Sequence, residues 1–138
     1  MNTVFADTFY WVAMANPRDQ WHQRAMSVSR SLEQTRLITT DEALVEFLTL
    51  LSSHGEDVRN AAVRFTRGII NNPNIYVAPQ TGNSFLSGLT LYERRPDKAY
   101  SLTDCISMQT MRDHGLTEAL THDHNFEQEG FTILLKDE

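Results

Sequence analysis

Two alternating apolar periodicities limit most strongly how this chain can fold. Five short apolar runs, at residues 2–6, 37–39, 75–77, 117–121 and 131–135, are separated by longer segments with helical spacing. The runs are too short for helices and suit strands. Residues 9–15 read as a short helix that stops at Asn16-Pro17, a turn signal. Trp21, Ala25, Val28 and Leu32 fall at i, i+4, i+7 and i+11, which predicts a helix over residues 18–34. Leu44, Phe47, Leu48 and Leu51 form the stripe of the next helix, capped by Thr40 or Asp41 and ending near His54-Gly55. Val58, Ala61, Ala62, Phe65 and Ile69 mark another, closed by Asn71-Asn72-Pro73. Phe85, Leu89 and Tyr92 lie along a helix over residues 79–95 that Pro96 ends, and Ile106, Met108 and Met111 along one that stops at His114-Gly115. A polar turn over residues 123–130 precedes the last strand.

Strands alternating with helices predict an α/β fold. Its centre is a mainly parallel β-sheet flanked by helices on both faces, a three-layer sandwich. No repeat, low-complexity tract or linker interrupts the pattern, so residues 1–138 read as a single domain. Composition narrows the function classes. The chain carries 18 acids against 12 Lys and Arg, a net charge of −6, which excludes binding to nucleic acid through a broad basic face. It does not exclude nucleic acid as a substrate. The one cysteine, Cys105, excludes an intramolecular disulfide and suits a reducing compartment. The apolar stretch over residues 4–15 has no preceding Lys or Arg and is broken by Asp7, unlike a signal peptide. No segment reaches the roughly 18 apolar residues of a membrane span. A soluble cytoplasmic protein with no membrane partner is expected.

Ligands in open parallel sheets bind beyond the carboxyl ends of the strands. Asp7 follows the first run directly and Asp123 follows the fourth. Asp104 stands where a loop enters a helix, and Glu46 lies one turn into the helix after the second run. These acids from four separated segments could converge on one edge. Clustered carboxylates repel one another and take up protons unless a cation neutralises them. Hard oxygen ligands select Mg²⁺ or Mn²⁺, and a water held by such an ion can serve as the nucleophile in phosphodiester hydrolysis. Each acid also has a plainer reading. Asp104 could only cap its helix, Glu46 could lie on a solvated face with Glu42 and Thr49, and Asp123 could be a turn residue. Asp7 is the least ordinary, an acid within an apolar opening segment.

Four stretches then resemble the PIN-domain family, metal-dependent ribonucleases that include the VapC toxins of bacterial toxin–antitoxin pairs. They are Val4-Phe5-Ala6-Asp7-Thr8, Thr39-Thr40-Asp41-Glu42-Ala43-Leu44-Val45-Glu46, Tyr100-Ser101-Leu102-Thr103-Asp104-Cys105 and Ala119-Leu120-Thr121-His122-Asp123-His124-Asn125-Phe126. They occur in the family's order, and the closing Glu129-Gly130-Phe131 is similar too. The resemblance implies an endoribonuclease whose acidic metal-binding and catalytic set is Asp7, Glu46, Asp104 and Asp123. Thr8 and Thr121 match polar positions that support acids or substrate. Asn125 stands near where many members carry a further acid, which leaves open one metal or two. Homodimers and inhibition by an antitoxin peptide are implied for toxin members of type II systems. The rival reading is a non-catalytic binding or assembly module of the same fold with a vestigial metal site.

Setting those four acids aside leaves 14 against 12 bases, near balance. Arg94, Arg95 and Lys98 precede Asp104 and could hold an RNA backbone near the metal, or merely solvate a helix end. His122 and His124 flank Asp123, but no third or fourth ligand at recognisable spacing supports zinc. Cys105 reads as a small buried residue, and Phe9, Tyr10, Trp11 and Trp21 as core packing. Neither a Walker loop nor a GxGxxG motif is present.

Overall fold

A computed structural model describes residues 2–136. Strands β1 (Thr3–Ala6), β2 (Arg36–Thr40), β3 (Ile75–Ala78), β4 (Glu118–Leu120) and β5 (Thr132–Ile133) form one sheet in the order β3-β2-β1-β4-β5. Every pairing is parallel, so the sheet is wholly rather than mainly parallel. Helices α1 (Thr8–Ala15), α2 (His22–Ser31), α3 (Asp41–Leu51), α4 (Glu56–Asn71), α5 (Gly82–Arg94), α6 (Leu102–Asp113) and α7 (His124–Gln128) connect the strands.

Alternation along the strands feeds two cores. Val4 and Ala6 of β1 pack with Tyr10, Trp11, Leu44, Phe47 and Leu120 on one face. Phe5 turns to the other face and joins Ile38, Leu91, Met108, Met111, Ala119 and Phe126. A strand buried on both sides must read as a continuous apolar run, which is why Val4-Phe5-Ala6 does. At Gly88, α5 comes so close to α6 that a Cβ there would meet Ile106 Cγ1 at 2.4 Å.

Three local expectations differ from the structure. The second helix begins at His22 rather than near residue 18. Asn16 Oδ1 accepts the Arg18 N–H at 3.1 Å and Asp19 Oδ1 accepts the Trp21 N–H at 2.8 Å, so side chains satisfy the backbone in a turn instead. The polar turn after Asp123 contains α7, whose single buried residue, Phe126, leaves no periodicity to read. The last strand spans only Thr132–Ile133, although the Leu134 and Leu135 N–H groups still bond to Ala119 and Thr121 carbonyls.

The chain leaves β1 toward β2 on one side, while β4 lies on the other. That reversal places the sheet's switch point between β1 and β4, the place where open parallel sheets form a crevice.

Candidate metal and nuclease site

Asp7 follows β1 at this crevice and is only 2% exposed. It occupies the N-cap position of α1, yet its side chain caps nothing. Instead its Oδ2 accepts the Thr121 hydroxyl at 2.9 Å. The same Thr121 oxygen accepts the Asp123 N–H at 3.1 Å, so one buried threonine holds both acids. Thr8, also fully buried, donates to the Ala43 carbonyl at 3.3 Å and ties the start of α1 to the helix that carries Glu46.

Asp104 and Asp123 each combine a helix-start role with a place at the crevice. Asp104 is the third residue of α6 and closes a capping box with Ser101, its Oδ2 accepting the Ser101 N–H at 3.0 Å. That oxygen also faces the Asn125 amide at 3.4 Å. Asp123 caps α7, its Oδ1 accepting the Asn125 N–H at 2.9 Å. Glu46, half-buried, lines a cleft of about 490 Å³ with Val45, Leu50, Gln80 and Thr103.

The acids sense one another. Burial pushes the Asp7 carboxyl up to about 7, and the charges of Asp104 and Glu46 push the same way, against the hydrogen bond from Thr121. Burial also raises Asp104, helped by the charges of Asp123 and Glu46 and opposed by the Ser101 and Asn125 hydrogen bonds. The ion pairs found among the described residues lie elsewhere, on Asp97, Glu127 and Glu129. A buried Asp7 with partly buried Glu46, Asp104 and Asp123 around it, in no ion pair found among the described residues, suits a divalent cation. No three Asp, Glu, His or Cys side chains among the described residues are gathered closely enough to hold an ion together. An all-oxygen acid set of this kind would need water to complete the shell of any cation held there, a requirement that Mg²⁺ and Mn²⁺ meet more readily than zinc.

The basic group read from the sequence divides in the structure. Arg94 is exposed near the end of α5, and Lys98 Nζ stands 3.9 Å from Asp97. Arg95 is committed to Glu129, its Nε and Nη2 donating to the two carboxylate oxygens at 2.9 and 3.0 Å. Such a paired guanidinium is not free to grip a phosphate. Cys105 is fully buried, and burial with the Asp104 charge pushes its thiol up to about 11, so it is no nucleophile. Tyr10 and Trp11 are core residues, while the His122 ring stacks on Trp21 at 4.6 Å and faces Phe9 at 5.1 Å. The partners of Glu129 have no signature in the sequence, because they lie 17 to 34 residues away along the chain.

The sequence profile of the PIN domain matches residues 4–131. The 23S rRNA-specific endonuclease VapC20 of Mycobacterium tuberculosis is 28% identical over 131 residues, covering 93% of this chain and 95% of that protein. The crystal structure of M. tuberculosis VapC20, described as a sarcin-ricin loop cleaving toxin, superposes with a TM-score of 0.82 at 26% identity. That match covers 94% of this chain and 96% of the other. FitAcB from Neisseria gonorrhoeae matches in fold, with a TM-score of 0.66 at 14% identity over 94% of this chain and 95% of that one.

Proposed function

The chain belongs to the PIN domain family, and from that premise we propose that it is a Mg²⁺- or Mn²⁺-dependent endoribonuclease, the toxin of a type II toxin–antitoxin pair. The observation that carries this reading is a buried Asp7 beyond β1 whose charge is opposed by Asp104 and Glu46, with Asp123 in turn acting on Asp104. Asp7, Glu46, Asp104 and Asp123 hold the cation, directly or through water. When bound, the cation neutralises the carboxylates, stabilises charge on a phosphoryl oxygen and lowers the pKa of water. One carboxylate of the set accepts the proton of the attacking water. Thr121 keeps Asp7 and Asp123 aligned, and Thr8 anchors α1 to α3. Arg94 and Lys98 hold the RNA backbone.

The relatives make 23S rRNA the first substrate to test. A homodimer and an antitoxin peptide belong to the same reading. Val45 and Leu50 on α3 and Phe85, Leu86 and Leu89 on α5 leave apolar surface for them, each more than 40% exposed. No helix among the described residues is long and apolar enough to cross a membrane. The reading places the protein in the cytoplasm, where its RNA is.

Calorimetric titration with Mn²⁺ tests the site itself. Wild type should bind with a signal that Asp7→Asn abolishes. Absence of binding at millimolar Mn²⁺ would favour a non-catalytic module.

A further inference from the structure

Glu129 lies outside the acid set, yet it is the most heavily bonded carboxylate among the described residues. Its side chain is 4% exposed, and its two oxygens take hydrogen bonds from three residues, two on the connection before α6 and one at the end of α6. Arg95, just past α5, donates through Nε and Nη2 at 2.9 and 3.0 Å. Tyr100, beside the cap of α6, donates its hydroxyl at 3.1 Å. Arg112, in the last turn of α6, donates through Nη2 at 2.6 Å while its guanidinium lies over the Phe131 ring at 5.4 Å. Burial alone would raise the Glu129 carboxyl, but these donors bring it down to about 2.

The position of this cluster gives it a role. Glu129 ends α7, and its backbone N–H bonds to the Asn125 and Phe126 carbonyls. Residues 123–129 thus form one hydrogen-bonded unit. Its near end carries Asp123 and presents Asn125 to Asp104, and its far end is fastened to both ends of α6. The Glu129 carboxylate thus fastens α7, which Asp123 caps, to α6, which carries Asp104, alongside the Asn125 contact and the packing of Phe126 in one core with Met108. We propose that Glu129 is a positioning residue that sets the spacing of Asp104 and Asp123 and so the affinity of the site for a divalent cation. This rests on the metal-site reading above. Two guanidiniums converge on Glu129, and its charge keeps them from repelling each other and prising α7 away.

The test uses the full chain and Mn²⁺. Glu129→Gln keeps the shape but removes the charge. By analogy with outer residues that orient metal ligands, it should weaken Mn²⁺ binding about 10-fold in calorimetry. It should raise the Mn²⁺ concentration for half-maximal RNA cleavage by the same factor, with the rate at saturating Mn²⁺ restored. Arg112→Met removes one donor and retains cover over Phe131, and should shift both quantities in the same direction by a smaller factor. A lowered melting temperature with Mn²⁺ affinity unchanged in Glu129→Gln would show a brace with no positioning role and overturn the proposal. Should that variant not fold, unchanged affinity in Arg112→Met overturns it equally. Failure of wild type to bind Mn²⁺ would instead remove the metal-site reading, and this inference with it.

Discussion

The Thr121 hydroxyl donates to Asp7 Oδ2 at 2.9 Å, joining two residues 114 positions apart in the chain. Because that hydroxyl also accepts the Asp123 N–H, its orientation is fixed from both sides. The two acids nearest the sheet's switch point are therefore held in register by the protein alone. Under the proposed function, this link is the preorganisation on which metal-assisted hydrolysis depends.

Thr121→Val, nearly the same shape without the hydroxyl, leaves an oxygen of Asp7 and the Asp123 N–H without this partner. Chemical denaturation should show a loss of about 1–3 kcal/mol at neutral pH. Mn²⁺ affinity should fall as well. A variant as stable as wild type would contradict the bridging role.

Asp7 makes stability depend on pH in a direction opposite to most carboxylates. Its carboxyl titrates near 3.8 when unfolded and at about 7 when folded. Between those values the native state binds more protons, so stability of the metal-free protein falls as pH rises from about 4 to about 7 and then levels. The ceiling on this effect is about 4 kcal/mol. Asp7→Asn lacks it, so in EDTA the variant should gain on wild type steadily across that window and differ little near pH 4. Glu129 supplies the reverse slope: held at about 2 against an ordinary 4.5, it contributes stability above pH 4.5 that is lost as pH falls toward 2. Urea denaturation from pH 3 to 8 separates the two.

Gly88→Ala should destabilise the fold without touching the acids. The new methyl would stand 2.4 Å from Ile106 Cγ1 and 3.2 Å from its backbone, so α5 and α6 must separate. A cost of about 1–3 kcal/mol is expected in thermal or chemical unfolding. A neutral outcome would mean that the helix pair is loosely packed.

Charge reversal at Arg94 and Lys98 tests the RNA-holding role. The double variant should weaken RNA binding and lower the slope of log affinity against log salt by about 2. An unchanged slope would leave these residues as solvent-exposed charges only.

Much of this architecture was legible in the sequence because burial writes periodicity. Val4-Phe5-Ala6 reads as a strand covered on both faces, and the Leu44–Leu51 stripe reads as a helix with one buried face. Asp7 stood out for the same reason, a charge where the pattern demands an apolar residue. What stayed hidden lacks a local signature. Helix α7 has one apolar anchor, and the start of α2 is delayed by Asn16 and Asp19 side chains that compete for backbone donors. Arg95 looked like one of a basic group, yet its partner Glu129 lies 34 residues away and only folding brings them together. The double duty of Asp104 and Asp123, capping helices while facing the crevice, explains why each taken alone reads as a cap or turn acid.

The central claim is that the acid set performs metal-dependent RNA hydrolysis. The most direct measurement is cleavage of a defined panel of 23S rRNA fragments, tRNA and mRNA by wild type with Mn²⁺, wild type with EDTA, and Asp7→Asn with Mn²⁺. The account predicts discrete internal cuts in the first reaction only, with the Asp7 variant folded by circular dichroism. Equal cleavage in EDTA, or by the folded Asp7 variant, would contradict it.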